Sequence, residues 1–103
     1  MVEADDVLSL ASQIPKGSVS TYRLLAEALG RKTFARFVGM ALSRNPNPVK
    51  VPCHRIVRSD GHVGGYKLGV VKKIRLLREE GVEVKSGMIA EFKKHLFKKF
   101  ITR

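Results

Sequence analysis

Asn45-Pro46-Asn47-Pro48 divides this chain. A residue before proline is pushed out of helical geometry, and proline itself cannot donate a backbone hydrogen bond. Two such pairs in succession force extended backbone, so helix lies on either side of residues 45–48 and none runs through them. With 103 residues in all, the two sides must share one core.

On the N-terminal side the spacing predicts a helix over 4–14, with Val7, Leu8, Ala11 and Ile14 on its apolar face and Asp5 or Asp6 as its cap. Pro15-Lys16-Gly17 stops it, and Ser18-Val19-Ser20 is a short extended piece. Thr21 is then an N-cap for a helix from Tyr22 to Leu29, carrying Leu24, Leu25, Ala28 and Leu29, with Gly30 as its stop. A second helix opens near Thr33, places Phe34, Phe37, Val38, Ala41 and Leu42 inward, and ends at Asn45-Pro46. Two short helices joined by a few residues read as a helix-turn-helix.

Beyond the prolines, Val49-Lys50-Val51 is at best a short strand, followed by Pro52-Cys53-His54-Arg55-Ile56-Val57 and a glycine-rich loop from Ser59 to Tyr66. Helical period returns from Val70 to Glu80, with Val70, Ile74 and Leu77 on one stripe and Gly81 as the stop. In the tail, Ile89, Phe92, Leu96, Phe97 and Phe100 fit one face of a basic amphipathic helix, whose Lys85, Lys93, Lys94, Lys98, Lys99 and Arg103 outnumber the single acid Glu91. Taken together the pattern is α/β, mostly helical, with a small strand pairing between residues near 18–20 and 49–57.

Charge now narrows the partner. Lys plus Arg number 20 against 9 Asp plus Glu, a net charge of +11. Such an excess favours a polyanion, because each phosphate neutralised releases condensed counterions. One cysteine excludes an internal disulfide, and one Cys with His54, His62 and His95 scattered along the chain makes a poor zinc site. The longest uncharged run, Val7 to Pro15, has nine residues where a membrane span needs roughly 18. The acidic opening Met-Val-Glu-Ala-Asp-Asp is unlike a basic leader, so the expected setting is a reducing one, the cytoplasm or a eukaryotic nucleus.

The lone Cys53 is inert core, an intermolecular linker or a reactive thiol. A thiol becomes a nucleophile beside positive groups or an adjacent base, and His54 and Arg55 follow it directly. Adjacency in sequence does not by itself make an imidazole face a thiol.

Val51-Pro52-Cys53-His54-Arg55-Ile56-Val57 followed by Gly64-Gly65-Tyr66 resembles the active-site signature of the O6-alkylguanine-DNA alkyltransferases, the methylated-DNA–protein-cysteine methyltransferases. Thr21-Tyr22, Arg36, Asn45-Pro46, Cys53, Tyr66 and Glu80-Gly81 all fall at that family's spacing, so the resemblance covers about residues 5–82. It implies a winged helix-turn-helix-like DNA-binding domain over 1–82, with 83–103 an extension of the same domain. The implied activity is direct reversal of O6-alkylguanine damage by single-turnover transfer to Cys53, without cofactor or metal. His54 is implied as base through a water, oriented by Glu80. Asn45 is implied to hold the turn around the cysteine, and Arg55 to be a structural ion-pair partner. Tyr22 is implied to help rotate the target nucleotide and to donate to the leaving guanine, while Arg36 fills the stack left by the everted base. Backbone groups of Cys53, Ile56 and Lys67 are implied to read the guanine edge, with Tyr66 as a wall. Eversion is a physical requirement, since the O6 substituent inside a duplex is out of a buried thiol's reach. The approach is to the minor groove, whose readout is degenerate.

Three departures carry expectations of their own. The family usually has an N-terminal domain, whereas about four residues precede the first helix here. The tail is therefore expected to cover core left open and to contact phosphates, with a membrane surface as the alternative. Phe37 and Met40 are bulky where the family's recognition helix shows small residues. Lys67-Leu68-Gly69 follows Tyr66 where the family often has two glycines, and Leu68 is expected to narrow the pocket. The implied partner is double-stranded DNA containing O6-alkylguanine, bound by a monomer, fused to or acting with another repair domain. Two competitors remain. One is a non-enzymatic lesion binder of the alkyltransferase-like kind, in which the cysteine is usually replaced by tryptophan. The other is an ordinary helix-turn-helix regulator, disfavoured because Phe34–Ser43 has no Asn or Gln to read bases.

Overall fold

The computed structural model describes residues 2–102. The first helix, α1, spans Ala4–Ala11 and is shorter than its periodicity suggests. Its N-cap is Glu3 rather than Asp5 or Asp6, and the Asp6 carboxylate accepts from the Glu3 amide at 2.7 Å. Ile14 lies past the helix end yet is buried, because the chain folds back through a turn instead of continuing. Strand β1 (Ser20–Thr21) leads straight into α2 (Tyr22–Ala28), where the Thr21 hydroxyl caps the helix by accepting from Leu24 N–H at 3.0 Å. That bond satisfies one of the free amides of the first turn, and Gly30 at φ +103° supplies the left-handed exit.

A 3-10 turn over Lys32–Phe34 precedes α3 (Ala35–Ser43), so the second helix of the pair starts two residues later than expected. Helices α1, α2 and α3 enclose one cluster of buried side chains, including Val7, Leu10, Leu25, Val38 and Leu42. Each fully buried leucine or valine here contributes on the order of 1.5–3 kcal/mol of transfer free energy. Phe37 turns toward this cluster and meets Phe34 edge to face at 6.2 Å between ring centres; Met40 alone of the two bulky residues points outward.

Residues 48–51 form a turn with Val49 at φ +76°, so the short strand expected there is replaced by a single bridge between Pro48 and Val51. Strand β2 (Ile56–Val57) pairs in parallel with β1, Ser20 opposite Ile56 and Thr21 opposite Val57. Helix α4 (Val70–Glu79) follows, ending at Glu80 and Gly81. Its buried stripe is Lys73 and Leu77; Val70, expected inside, is 43% exposed.

The tail is not an amphipathic helix. It begins as an antiparallel hairpin of β3 (Val84–Lys85) and β4 (Met88–Ile89), continues as one turn of helix, α5 (Phe92–His95), and finishes extended. Ile89 and Phe92 pack on a second cluster with Val19, Val57, Leu77 and Val82, whereas Phe97 and Phe100 pack on the first. Leu96 bridges Val19, with Val19 N–H donating to His95 O at 2.9 Å and Phe97 N–H to Val19 O at 2.7 Å. Gln13 exchanges two further bonds with the backbone of Ile101. The tail is thereby laced to the edge of β1 and the end of α1, covering apolar surface as expected though with a different backbone. The whole is mostly helical with small strand pairs, a helix-turn-helix-like fold.

Candidate active site

Cys53 opens a 3-10 turn, Cys53–Arg55, set between the Asn-Pro segment and β2. The thiol is 5% exposed and belongs to the buried cluster, yet it also lines a pocket of about 370 Å³ with Tyr22, Gly39, Leu42, Ser43, Gly65, Tyr66 and Lys67. That volume lies within the range of small-molecule sites. Buried packing on one side and a pocket on the other distinguish this cysteine from a purely structural one.

Asn45, fully buried, organises the turn. Its Nδ2 donates to Val51 O at 2.9 Å and to Cys53 Sγ at 3.3 Å, while its Oδ1 accepts from Asn47 N–H at 2.9 Å. One side chain thus ties the proline segment, the turn and the thiol.

Behind the cysteine, His54 is fully buried and its Nε2 lies 2.9 Å from Glu80 Oε2. Arg55 clasps the same carboxylate with Nε at 2.9 Å and Nη2 at 2.8 Å, and its Nη1 donates to Ile14 O at 2.8 Å. Burial alone would raise the Glu80 carboxyl, but the bonds from Arg55 and His54 outweigh it and hold the group below its ordinary value. Glu80 is therefore a carboxylate at neutral pH, and His54 Nε2–H must be the donor to it. Burial also lowers His54, against the pull of Glu80, so the imidazole stays neutral. Its lone pair then resides on Nδ1, which is buried and bonded to no protein group. A neutral imidazole of fixed tautomer is a base.

The other residues singled out from sequence fall into two groups. Tyr22, Tyr66 and Lys67 line the pocket with Cys53. Burial, and then the Cys53 charge, raise both tyrosine hydroxyls, keeping them protonated as donors. The Lys67 amine donates to the Asn45 carbonyl. Ile56 is fully buried and off the pocket wall, its carbonyl already accepting from Lys73. Arg36 is exposed on the first turn of α3, away from the thiol's own contacts. Leu68 is 40% exposed and not among the lining residues, so the expected narrowing of the pocket does not occur. His62 pairs with Asp60, and His95 Nδ1–H donates to Gly17 O, anchoring the tail.

Sequence reasoning missed Lys73. Its side chain is fully buried under the site, and Nζ donates to Ile56 O at 2.6 Å and Gly65 O at 2.9 Å. Desolvation lowers its pKa to about 7, opposed by the Cys53 charge. The amine ties β2 to the glycine-rich wall of the pocket. Its signal was present: position 73 falls between Val70 and Leu77 on the apolar stripe, where lysine is out of place.

A family model described as 6-O-methylguanine DNA methyltransferase, DNA binding domain, matches residues 4–82. The chain is 44% identical over 104 residues to the methylated-DNA–protein-cysteine methyltransferase of Pyrobaculum aerophilum, covering 93% of this chain and 69% of that one. It is 47% identical over 92 residues to a bifunctional methyltransferase/endonuclease of Picrophilus torridus, covering 89% of this chain but only 30% of that protein. Among solved structures, S. pombe Atl1 in complex with damaged DNA containing O6-carboxymethylguanine superposes with a TM-score of 0.83 at 28% identity, over 96% of this chain and all of that one. The O6-methylguanine-DNA methyltransferase of Pyrococcus kodakaraensis superposes with a TM-score of 0.70 at 45% identity, over 77% of this chain and 46% of that one.

Proposed function

Since the chain belongs to the 6-O-methylguanine DNA methyltransferase family through that family's DNA-binding domain, we propose that it repairs O6-alkylguanine in duplex DNA by taking the alkyl group irreversibly onto Cys53. The observation that carries this reading is a thiol lining a pocket, followed in the chain by a buried imidazole whose Nδ1 has no protein partner and whose Nε2 is bound to a carboxylate clasped by Arg55.

In the proposed step the everted guanine enters the pocket beside Tyr22 and Tyr66. A water between Cys53 and His54 Nδ1 passes the thiol proton to the imidazole, whose developing charge Glu80 stabilises. The sulfur then attacks the alkyl carbon. The S–C bond forms as the C–O6 bond breaks, and the electron pair leaves on the guanine oxygen, which takes a hydrogen bond from the Tyr22 hydroxyl. Asn45 holds Sγ in line. A thioether has no route out, so each molecule acts once. Arg36 fills the gap in the base stack.

A second reading, binding of the lesion without transfer, is favoured by one observation: the fit to Atl1 spans the full length of that lesion-bound protein. The thiol at position 53, with a base behind it, favours transfer. Incubation with a duplex carrying one O6-methylguanine, followed by intact mass measurement, decides between them. Transfer adds one methylene to the protein, and Cys53→Ala abolishes the gain. Retention of the lesion duplex with no change in mass would establish the sensor instead.

A further inference from the structure

Beside Tyr22, which lines the pocket, lies a cation that none of these roles uses. Arg58 directly follows β2, and the backbone around it is fixed: Arg58 N–H donates to His62 O and Gly61 N–H to Arg58 O, both at 2.9 Å, while the Asp60 carboxylate accepts from His62 N–H at 3.0 Å. The side chain is exposed. Its stem crosses Gly64, a residue at φ +73°. A Cβ there would lie 3.3 Å from Arg58 Cγ, 3.8 Å from its Cδ and 3.6 Å from the Tyr22 hydroxyl. One glycine therefore brings the arginine stem and the pocket tyrosine side by side. The positive charge is felt at that hydroxyl, since burial and Cys53 raise Tyr22 while Arg58 pulls it down.

The other cations near the thiol are already engaged. Arg55 is clasped by Glu80, Lys67 reaches the Asn45 carbonyl, and Lys73 is buried against two carbonyls. Asp60, the acid closest in sequence to Arg58, is turned on His62, 3.2 Å from ring Nδ1. An exposed guanidinium beside the tyrosine that lines a pocket for an everted base is placed to meet the sugar-phosphate of that nucleotide. Its planar fork matches the oxygens of a phosphodiester.

We propose that Arg58, from its place beside Tyr22, grips a phosphodiester flanking the everted nucleotide and holds the base in the pocket. This rests on the repair reading above. The test uses the full chain, as wild type, Arg58→Ala and Arg58→Lys. Binding to a duplex with one O6-methylguanine is followed by fluorescence anisotropy across a salt series, and transfer rates are taken with that duplex and with free O6-benzylguanine, which has no phosphate. For Arg58→Ala the slope of log affinity against log salt becomes shallower by about 0.9, one phosphate's worth of counterions. The ratio of duplex rate to free-base rate falls about tenfold, as loss of one charged hydrogen bond predicts, and Arg58→Lys recovers most of it. An unchanged salt slope or an unchanged rate ratio overturns the role of Arg58. Wild-type protein that takes an alkyl group from neither substrate overturns the repair reading itself, an outcome visible before any variant is compared.

Discussion

His54 Nε2 and Glu80 Oε2 lie 2.9 Å apart, joining the cysteine turn to the end of α4 across 26 residues of sequence. The contact fixes which imidazole nitrogen carries the proton. Replacing the carboxylate by an amide keeps the shape but removes the charge and frees the tautomer. Glu80→Gln is expected to slow transfer by about 10²- to 10⁴-fold, the scale seen when a triad carboxylate becomes an amide. The folded-state carboxyl is held below its ordinary value of 4.5, so the ion pair stabilises the fold above that pH and the stabilisation is lost as pH falls through the lower, folded value. Thermal melts between pH 3 and 7 check this: the acid-side loss in the wild type should be shallower in Glu80→Gln.

Asn45 makes its bonds from a fully buried position, so Asn45→Ala removes one of the two donors to the Val51 carbonyl, the acceptor of the Asn47 N–H and the contact to the thiol. A lost hydrogen bond of this kind costs about 0.5–1.5 kcal/mol. Denaturant titration should show a loss of that size. Transfer should fall by the same factor on duplex and on free alkylated base, because the damage is to the thiol's placement. A defect confined to duplex would contradict that role.

Arg36 predicts the opposite pattern. It is exposed on α3 and touches neither thiol nor relay. Arg36→Ala is expected to slow transfer from duplex at least about tenfold, the cost of losing one charged contact, and to spare free base. Equal slowing on both substrates would discard the stack-filling role.

Much of this site was legible because its residues are bound to local backbone rules. Thr21 caps α2 as its position before Tyr22 predicts, Gly30 and Gly81 leave their helices at positive φ, and the two proline pairs keep residues 45–48 out of any helix. The tail misled because Ile89, Phe92, Leu96, Phe97 and Phe100 recur at helical intervals, while Ile89 and Phe92 pack on one cluster and Phe97 and Phe100 on the other. Ser86 and Gly87, both at positive φ, make the two-residue turn that favours a hairpin, a local signal stronger than the period it interrupts. Lys73 escaped because hydrophobic pattern assigns lysine to solvent, whereas paired carbonyls at Ile56 and Gly65 give its ammonium an interior place. His54 and Glu80 could be paired only through the resemblance, since nothing in local spacing joins residues so far apart, and the acid that Arg55 pairs with was not foreseen.

The tail is expected to be required for the fold. Phe97 meets Phe100 edge to face at 5.0 Å, and its amide closes the bridge to Val19. Phe97 is half-buried, so Phe97→Ala should cost about 2 kcal/mol, below the ~3–5 kcal/mol of a fully buried phenylalanine. Urea melts of this variant beside Lys98→Ala, an exposed neighbour, provide the measurement. Equal midpoints for the two would show the tail to be dispensable cover.

Lys73 gives the fold a pH dependence on the alkaline side. Its pKa is about 7 when folded and 10.5 in the free side chain, so between those values the unfolded chain holds a proton that the folded one has released. Stability therefore rises with pH across that interval, and below about pH 7 the folded state bears the full penalty of the buried charge. The interval corresponds to a change on the order of 5 kcal/mol. Lys73→Met removes the titrating group while keeping the stem's apolar contacts, at the cost of leaving the Ile56 and Gly65 carbonyls without their donor. Denaturant titrations of both proteins at pH 6.5, 8 and 9.5 should show the wild type gaining stability with pH relative to the variant. Parallel curves would mean that the amine keeps its ordinary pKa in the folded state and gives stability no pH dependence.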